Sequence, residues 1–157
     1  MNFYRTVTIT LAAATLFAGS AAALAQPHTP QTASQVRSLD IMLMVSSLRC
    51  RTGPHDFRLD YQRFSANHLT ELNVASRTMK ADLARKHGTR GSKRALDKVS
   101  IGMANRFGGG HPYLDCAGLK KVTSELADQS GAGVLLSAAT ELLAQAPSTR
   151  YAMLARK

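Results

Sequence analysis

Carboxylates are scarce in this chain. Ten aspartates and glutamates stand against twenty lysines and arginines in 157 residues, and only Glu71, Glu125 and Glu141 are glutamates. A glycosidase needs two carboxylates at a set separation, so acid-poor helices weigh against that chemistry. Metal-ligand spacings are missing too. The histidines His28, His55, His68, His87 and His111 include no i,i+4 pair, and neither H-E-x-x-H nor C-x-x-C occurs. No metal site and no cofactor is therefore expected. There is no G-x-S-x-G to place a serine nucleophile. Gly108-Gly109-Gly110 leads into His111-Pro112. It lacks the Gly-Lys-Ser/Thr ending of a phosphate loop, and the dinucleotide pattern G-x-G-x-x-G is absent as well. Nothing points to a specific nucleic-acid partner. No stretch alternates apolar and polar residues, so no sheet is expected, and there is no internal repeat.

The N-terminus has the form of a secretory signal. Arg5 is followed by an apolar run from Val7 to Gly19, and Ala23-Leu24-Ala25 is a small-residue cleavage site. Residues 1–25 are accordingly expected to be a signal peptide, and the protein periplasmic or secreted. The apolar run is too short to span a bilayer, and no later run reaches about 18 residues. No membrane span is expected after cleavage. Both cysteines, Cys50 and Cys116, lie beyond the cleavage site. An even count in an oxidising compartment reads as one disulfide, and two thiols leave a single pairing.

Helical periodicity organises the rest. Residues 26–32 hold two prolines and small polar residues and read as a flexible leader. Ala33 to Cys50 reads as a first helix, apolar over more than half its circumference and so central in the fold. Phe57, Tyr61, Phe64, His68, Leu72, Ala75, Met79 and Leu83 recur at three- and four-residue steps. They mark one long helix from Pro54 to His87, with a bend expected at Ser65-Ala66-Asn67, where helix propensity is weaker. Gly88 to Gly91 reads as a turn. Ser92 reads as the cap of a third helix carrying Leu96, Val99, Met103 and Phe107. A fourth helix is expected from Pro112 to about Asp128, and a fifth from Val134 to Ala146. The basic end, 147–157, is expected to fray. The fold class is therefore all-α, a four- to five-helix bundle over residues 33–146 with one disulfide.

Two candidate sites emerge. Asn67, His68 and Glu71 fall together beside the aromatic stripe, and Asn67 and Glu71 share a helix face. They are the candidate catalytic residues of a small periplasmic hydrolase or lytic enzyme. The competing explanation for His68 is a core histidine hydrogen-bonded at a helix interface. The second candidate is electrostatic. Arg77, Lys80, Arg85, Lys86, Arg90, Lys93, Arg94 and Lys98 stand against only Asp82 and Asp97 in that interval. Arg90, Arg94 and Lys98 stack at four-residue spacing and repel one another. This cluster suits an anionic envelope surface, either lipid headgroups or polysaccharide, or an envelope protein. A non-catalytic binding or structural role at the cell envelope is thus the leading expectation.

Three stretches resemble a known family: Ile41-Met42-Leu43-Met44 leading to Leu48-Arg49-Cys50-Arg51; Arg63-Phe64-Ser65-Ala66-Asn67-His68-Leu69; and Gly102-Met103-Ala104-Asn105 running through Gly110-His111-Pro112 to Cys116. Across about residues 36 to 126 the chain resembles a family of small exported alphaproteobacterial proteins of uncharacterised function. The resemblance implies export and a paired Cys50 and Cys116. It transfers no site.

Overall fold

A computed structural model describes residues 29–144. The expected signal peptide, residues 26–28 of the expected leader and the expected basic tail lie outside the described residues. The described chain is five helices with no strand.

The first helix, α1 (Pro30–Arg49), starts inside the stretch expected to be a leader. Thr29 is the reason: its hydroxyl accepts a hydrogen bond from the Thr32 amide at 3.2 Å, and Pro30 supplies a preset φ at the first helical position. Val36, Leu39, Met42 and Leu43 are fully buried. As its composition implies, α1 is the central element and packs against all four other helices.

The second helix, α2 (Arg58–Asn67), does not begin at Pro54 as expected. Residues 51–55 form a turn. Phe57, fully buried, keeps a non-helical backbone (φ −128°) as the N-cap, and Asp56 Oδ1 accepts the Arg58 amide at 3.0 Å. Burying the first aromatic of the stripe thus delays the helix by one turn. The break at the far end lies beside the expected bend. His68 leaves helical geometry at φ −104°, ψ 16°, so the single long helix of the sequence pattern is two.

The third helix, α3 (Leu69–Phe107), is broken at Gly88, where φ is 72° and ψ is 165°. That region belongs almost exclusively to glycine. The expected turn is shorter than its glycines imply. Helix resumes directly at Thr89, and Ser92 is not a cap: it is buried within the second arm, its Oγ donating to the Thr89 carbonyl at 2.8 Å. The two arms, 69–87 and 89–107, fold back on each other. Leu83 and Val99 would stand about 24 Å apart along a straight helix, yet they line the same groove, and Met79, Leu83 and Val99 together meet the start of α1. The hairpin packs chiefly on α1.

The fourth helix, α4 (Cys116–Ala127), starts four residues later than expected, because Asp115 is its cap: Oδ1 accepts the Gly118 amide at 2.8 Å. The fifth, α5 (Ala132–Leu142), starts at Gly131, where φ is 107°. It closes the core with Leu135, Ala138, Ala139 and Leu142. One buried cluster runs through all five helices.

Cys50 and Cys116 are bonded, with Cα atoms 5.8 Å apart. The bond ties the C-cap of α1 to the first residue of α4 across a sequence separation of 66. A loop of that length contributes about 4 kcal/mol in the chain-entropy treatment. Reduction should lower the melting temperature by more than about ten degrees, read by circular dichroism with and without reductant. A shift of only a few degrees would mean that the core holds α1 and α4 without the bond.

Candidate functional site

The basic cluster is built by the Gly88 hairpin. All eight cations expected to act together are exposed on its two arms. Asp82 neutralises part of the tip, pairing with Arg85 at 2.9 Å and with Lys86 at 2.8 Å. Among the described residues, no carboxylate pairs with Arg77, Lys80, Arg90, Lys93, Arg94 or Lys98, and exposed Asp97 makes no ion pair. Between the arms lies a shallow groove of about 500 Å³. Its floor is apolar, from Leu83, Ala95 and Val99, and His87, Arg94 and Lys98 stand at its edges. Two large apolar side chains of the second arm reach solvent, Val99 at 36% and Ile101 at 59% exposure. Cations beside exposed aliphatics form a surface that can meet both a phosphate layer and the apolar layer beneath it.

The catalytic candidates do not assemble. His68 is fully buried. Its Nε2 lies 2.9 Å from the Leu126 carbonyl and must carry the hydrogen, since a carbonyl only accepts. The ring stacks on Phe64 with centroids 5.1 Å apart. Asn67 Nδ2 donates to the Ala127 carbonyl at 2.7 Å. Both side chains thus serve the last carbonyls of α4, which have no partner within their own helix. Arg63 extends the clamp to Asp128 at 2.9 Å and Ser124 at 3.2 Å. Glu71 sits half-exposed in the first turn of α3, and among the described residues no hydrogen bond joins it to Asn67 or His68. Arg63, Asn67 and His68 dock α2 on α4.

The sequence reading passes over a buried polar network on α1. Asp40 interrupts the apolar run from Leu39 to Leu43 and is itself buried. It accepts from Arg37 at 2.8 Å and from the Tyr61 hydroxyl at 3.0 Å. Burial raises the Asp40 pKa, with Arg37 and Tyr61 pulling it back, and burial together with the adjacent carboxylate raises that of Tyr61. A lone acid inside an apolar helical run, with a basic residue three positions earlier, was the available signal. The network fixes α2 against α1.

A second helix end is held by histidine. His111 Nε2 donates to the Leu142 carbonyl at 2.9 Å, while Nδ1 accepts the Tyr113 and Leu114 amides at 3.4 and 3.2 Å. Tyr113 donates its hydroxyl to the Glu141 carbonyl at 3.0 Å. His111 therefore pins the end of α5. Burial lowers its pKa, against the opposing pull of the Leu142 carbonyl. Elsewhere, no group of three potential metal ligands occurs among the described residues, and no described helix is long and apolar enough to cross a membrane.

Two outcomes follow. His68→Ala empties a buried site and removes the bond to Leu126, so it should cost about 2–4 kcal/mol in chemical denaturation. An unchanged midpoint would free His68 for another role. For His111 the neutral form is favoured in the folded state, so the unfolded chain binds more protons as the pH falls through the ordinary histidine value of 6.5. Its contribution is complete above that pH and declines as pH falls toward the lower folded value. His111→Asn, which retains an acceptor for the two amides, should flatten the acid side of the stability profile measured from pH 7.5 to 5. A parallel pair of profiles would assign the slope to other groups.

Comparison with protein-family models, with curated proteins and with solved structures finds no match.

Proposed function

We propose that this chain is an exported, non-catalytic binding module that docks reversibly on anionic lipid headgroups of the cell envelope through the hairpin around Gly88. One observation carries the proposal. The two arms that fold back at Gly88 carry eight exposed cations, and one aspartate pairs with only two of them. An arrangement that repels itself within one element is stabilised by an anionic partner. Support for export comes from the N-terminal pattern and from the disulfide, a bond of oxidising compartments. Exposed Val99 and Ile101 favour lipid over polysaccharide, because a sugar polymer offers no apolar layer to receive them.

Each lysine or arginine held at an anionic surface contributes on the order of 1 kcal/mol. Six unpaired cations are therefore enough for a measurable but reversible attachment. The attraction fades over a Debye length of about 8 Å at physiological salt.

Sedimentation with vesicles tests this. The protein should pellet with phosphatidylglycerol-containing vesicles at low salt, less at physiological salt, and not with neutral vesicles. Changing Arg90, Arg94 and Lys98 together to Gln should weaken binding by at least about tenfold. Equal binding by wild type and the triple variant would remove the hairpin from the interaction. No binding at low salt, with retention on an anionic polysaccharide column instead, would replace the lipid partner with a glycan one.

A further inference from the structure

The hairpin is closed by a single residue. Gly88 alone departs from helical geometry, and helix abuts it on both sides. No proline lies between Leu69 and Phe107, so every amide needed for one continuous helix is present. The tip is crowded at one further point: a Cβ on Gly91 would come within 3.1 Å of the His87 Cβ. In a straight helix those positions stand about 5–6 Å apart. At Gly88, by contrast, a Cβ would meet nothing within 4 Å, so only its φ of +72° resists a side chain.

The two sides of this joint share one core. Val36, Leu39, Met42 and Phe64 come from before Gly88; Leu119, Leu135 and Leu142 come from after it. The disulfide crosses the same divide. Short hinge loops of this kind invite exchange of identical halves between chains.

We infer that Gly88 is an exchange hinge: it straightens, and everything C-terminal to it packs on the α1 of a second copy, giving a dimer joined by two interchain Cys50–Cys116 bonds. Every contact that crosses Gly88 is then remade between chains, except those at the tip, and the contacts within each half are kept. The choice between monomer and dimer is made before oxidation. Each bond forms when the two thiols lose two protons and two electrons to a disulfide oxidant such as glutathione disulfide, which is reduced to two thiols. Once formed, the bonds fix the outcome.

Oxidative refolding of an equal mixture of ¹⁴N- and ¹⁵N-labelled protein with glutathione disulfide, at rising protein concentration, is the test. The expected product is a dimer on non-reducing electrophoresis whose tryptic digest contains light–heavy Cys50–Cys116 peptides and little Cys50–Cys50 or Cys116–Cys116. Random oxidation would yield all three linkages, and that pattern overturns the inference, as does an exclusively intrachain bond at every concentration. Gly88→Ala, by disfavouring the positive φ, should raise the dimer-to-monomer ratio by at least about fivefold. Gly91→Ala should act in the same direction through the contact with His87, and a Gly-Ser-Gly insertion after Gly88 should act in the opposite one. If these variants do not fold, the wild-type isotope mixture decides alone.

Discussion

Burial of most of α1 is the constraint from which the rest of the domain follows. A helix apolar over most of its circumference cannot lie at a surface, so every other element must supply part of its cover. The α3 hairpin covers one flank; α2, α4 and α5 cover the others. None of these covering helices has an independent core. Their apolar residues join a single cluster with Val36, Leu39, Met42 and Leu43. A packing defect in α1 would therefore be felt by all of them. Asp40, the only buried acid among the described residues, also sits on α1, and it is accommodated because Arg37 and Tyr61 provide its hydrogen bonds.

Helix ends set the second level of organisation. The ends of α4 and α5 carry carbonyls with no partner in their own helices. Asn67 and His68 meet those of α4, and His111 and Tyr113 meet those of α5. Arg49, at the end of α1, donates to the Gly108 carbonyl at 3.3 Å, and a Cβ on Gly110 would press against the Arg49 side chain at 3.3 Å. Polar residues that resemble catalytic candidates in the sequence thus act as fasteners. The disulfide adds a covalent fastener between α1 and α4. These contacts are spread across the side of the fold away from the hairpin tip. The tip is left with charge and little packing, residues 85–90 all being exposed.

Much of the architecture was legible in the residues. The all-α class, the central place of the first helix, the Cys50–Cys116 bond, the break next to Asn67 and the joint at Gly88 all follow from local rules: a 3.6-residue period, glycine's access to positive φ, and the pairing of two thiols. The helix starts were less legible. Pro54 and Pro112 each look like a first helical position, yet α2 waits for Phe57 to be buried and α4 waits for Asp115 to cap it. Burial and capping depend on what lies opposite in space, and no local rule supplies that.

The same division holds for the candidate sites. The sequence by itself determined that eight cations cluster between Arg77 and Lys98, because charge count and spacing are properties of the chain. Only the tertiary structure decided that the turn is one residue long and that its arms fold back, leaving those cations exposed along both arms. It alone engaged His68 and Asn67 with the end of α4, with no hydrogen bond from either to Glu71 among the described residues. The physical reason is that the carbonyls at the end of α4 lie about sixty positions away along the chain, and they accept hydrogen bonds from His68 and Asn67.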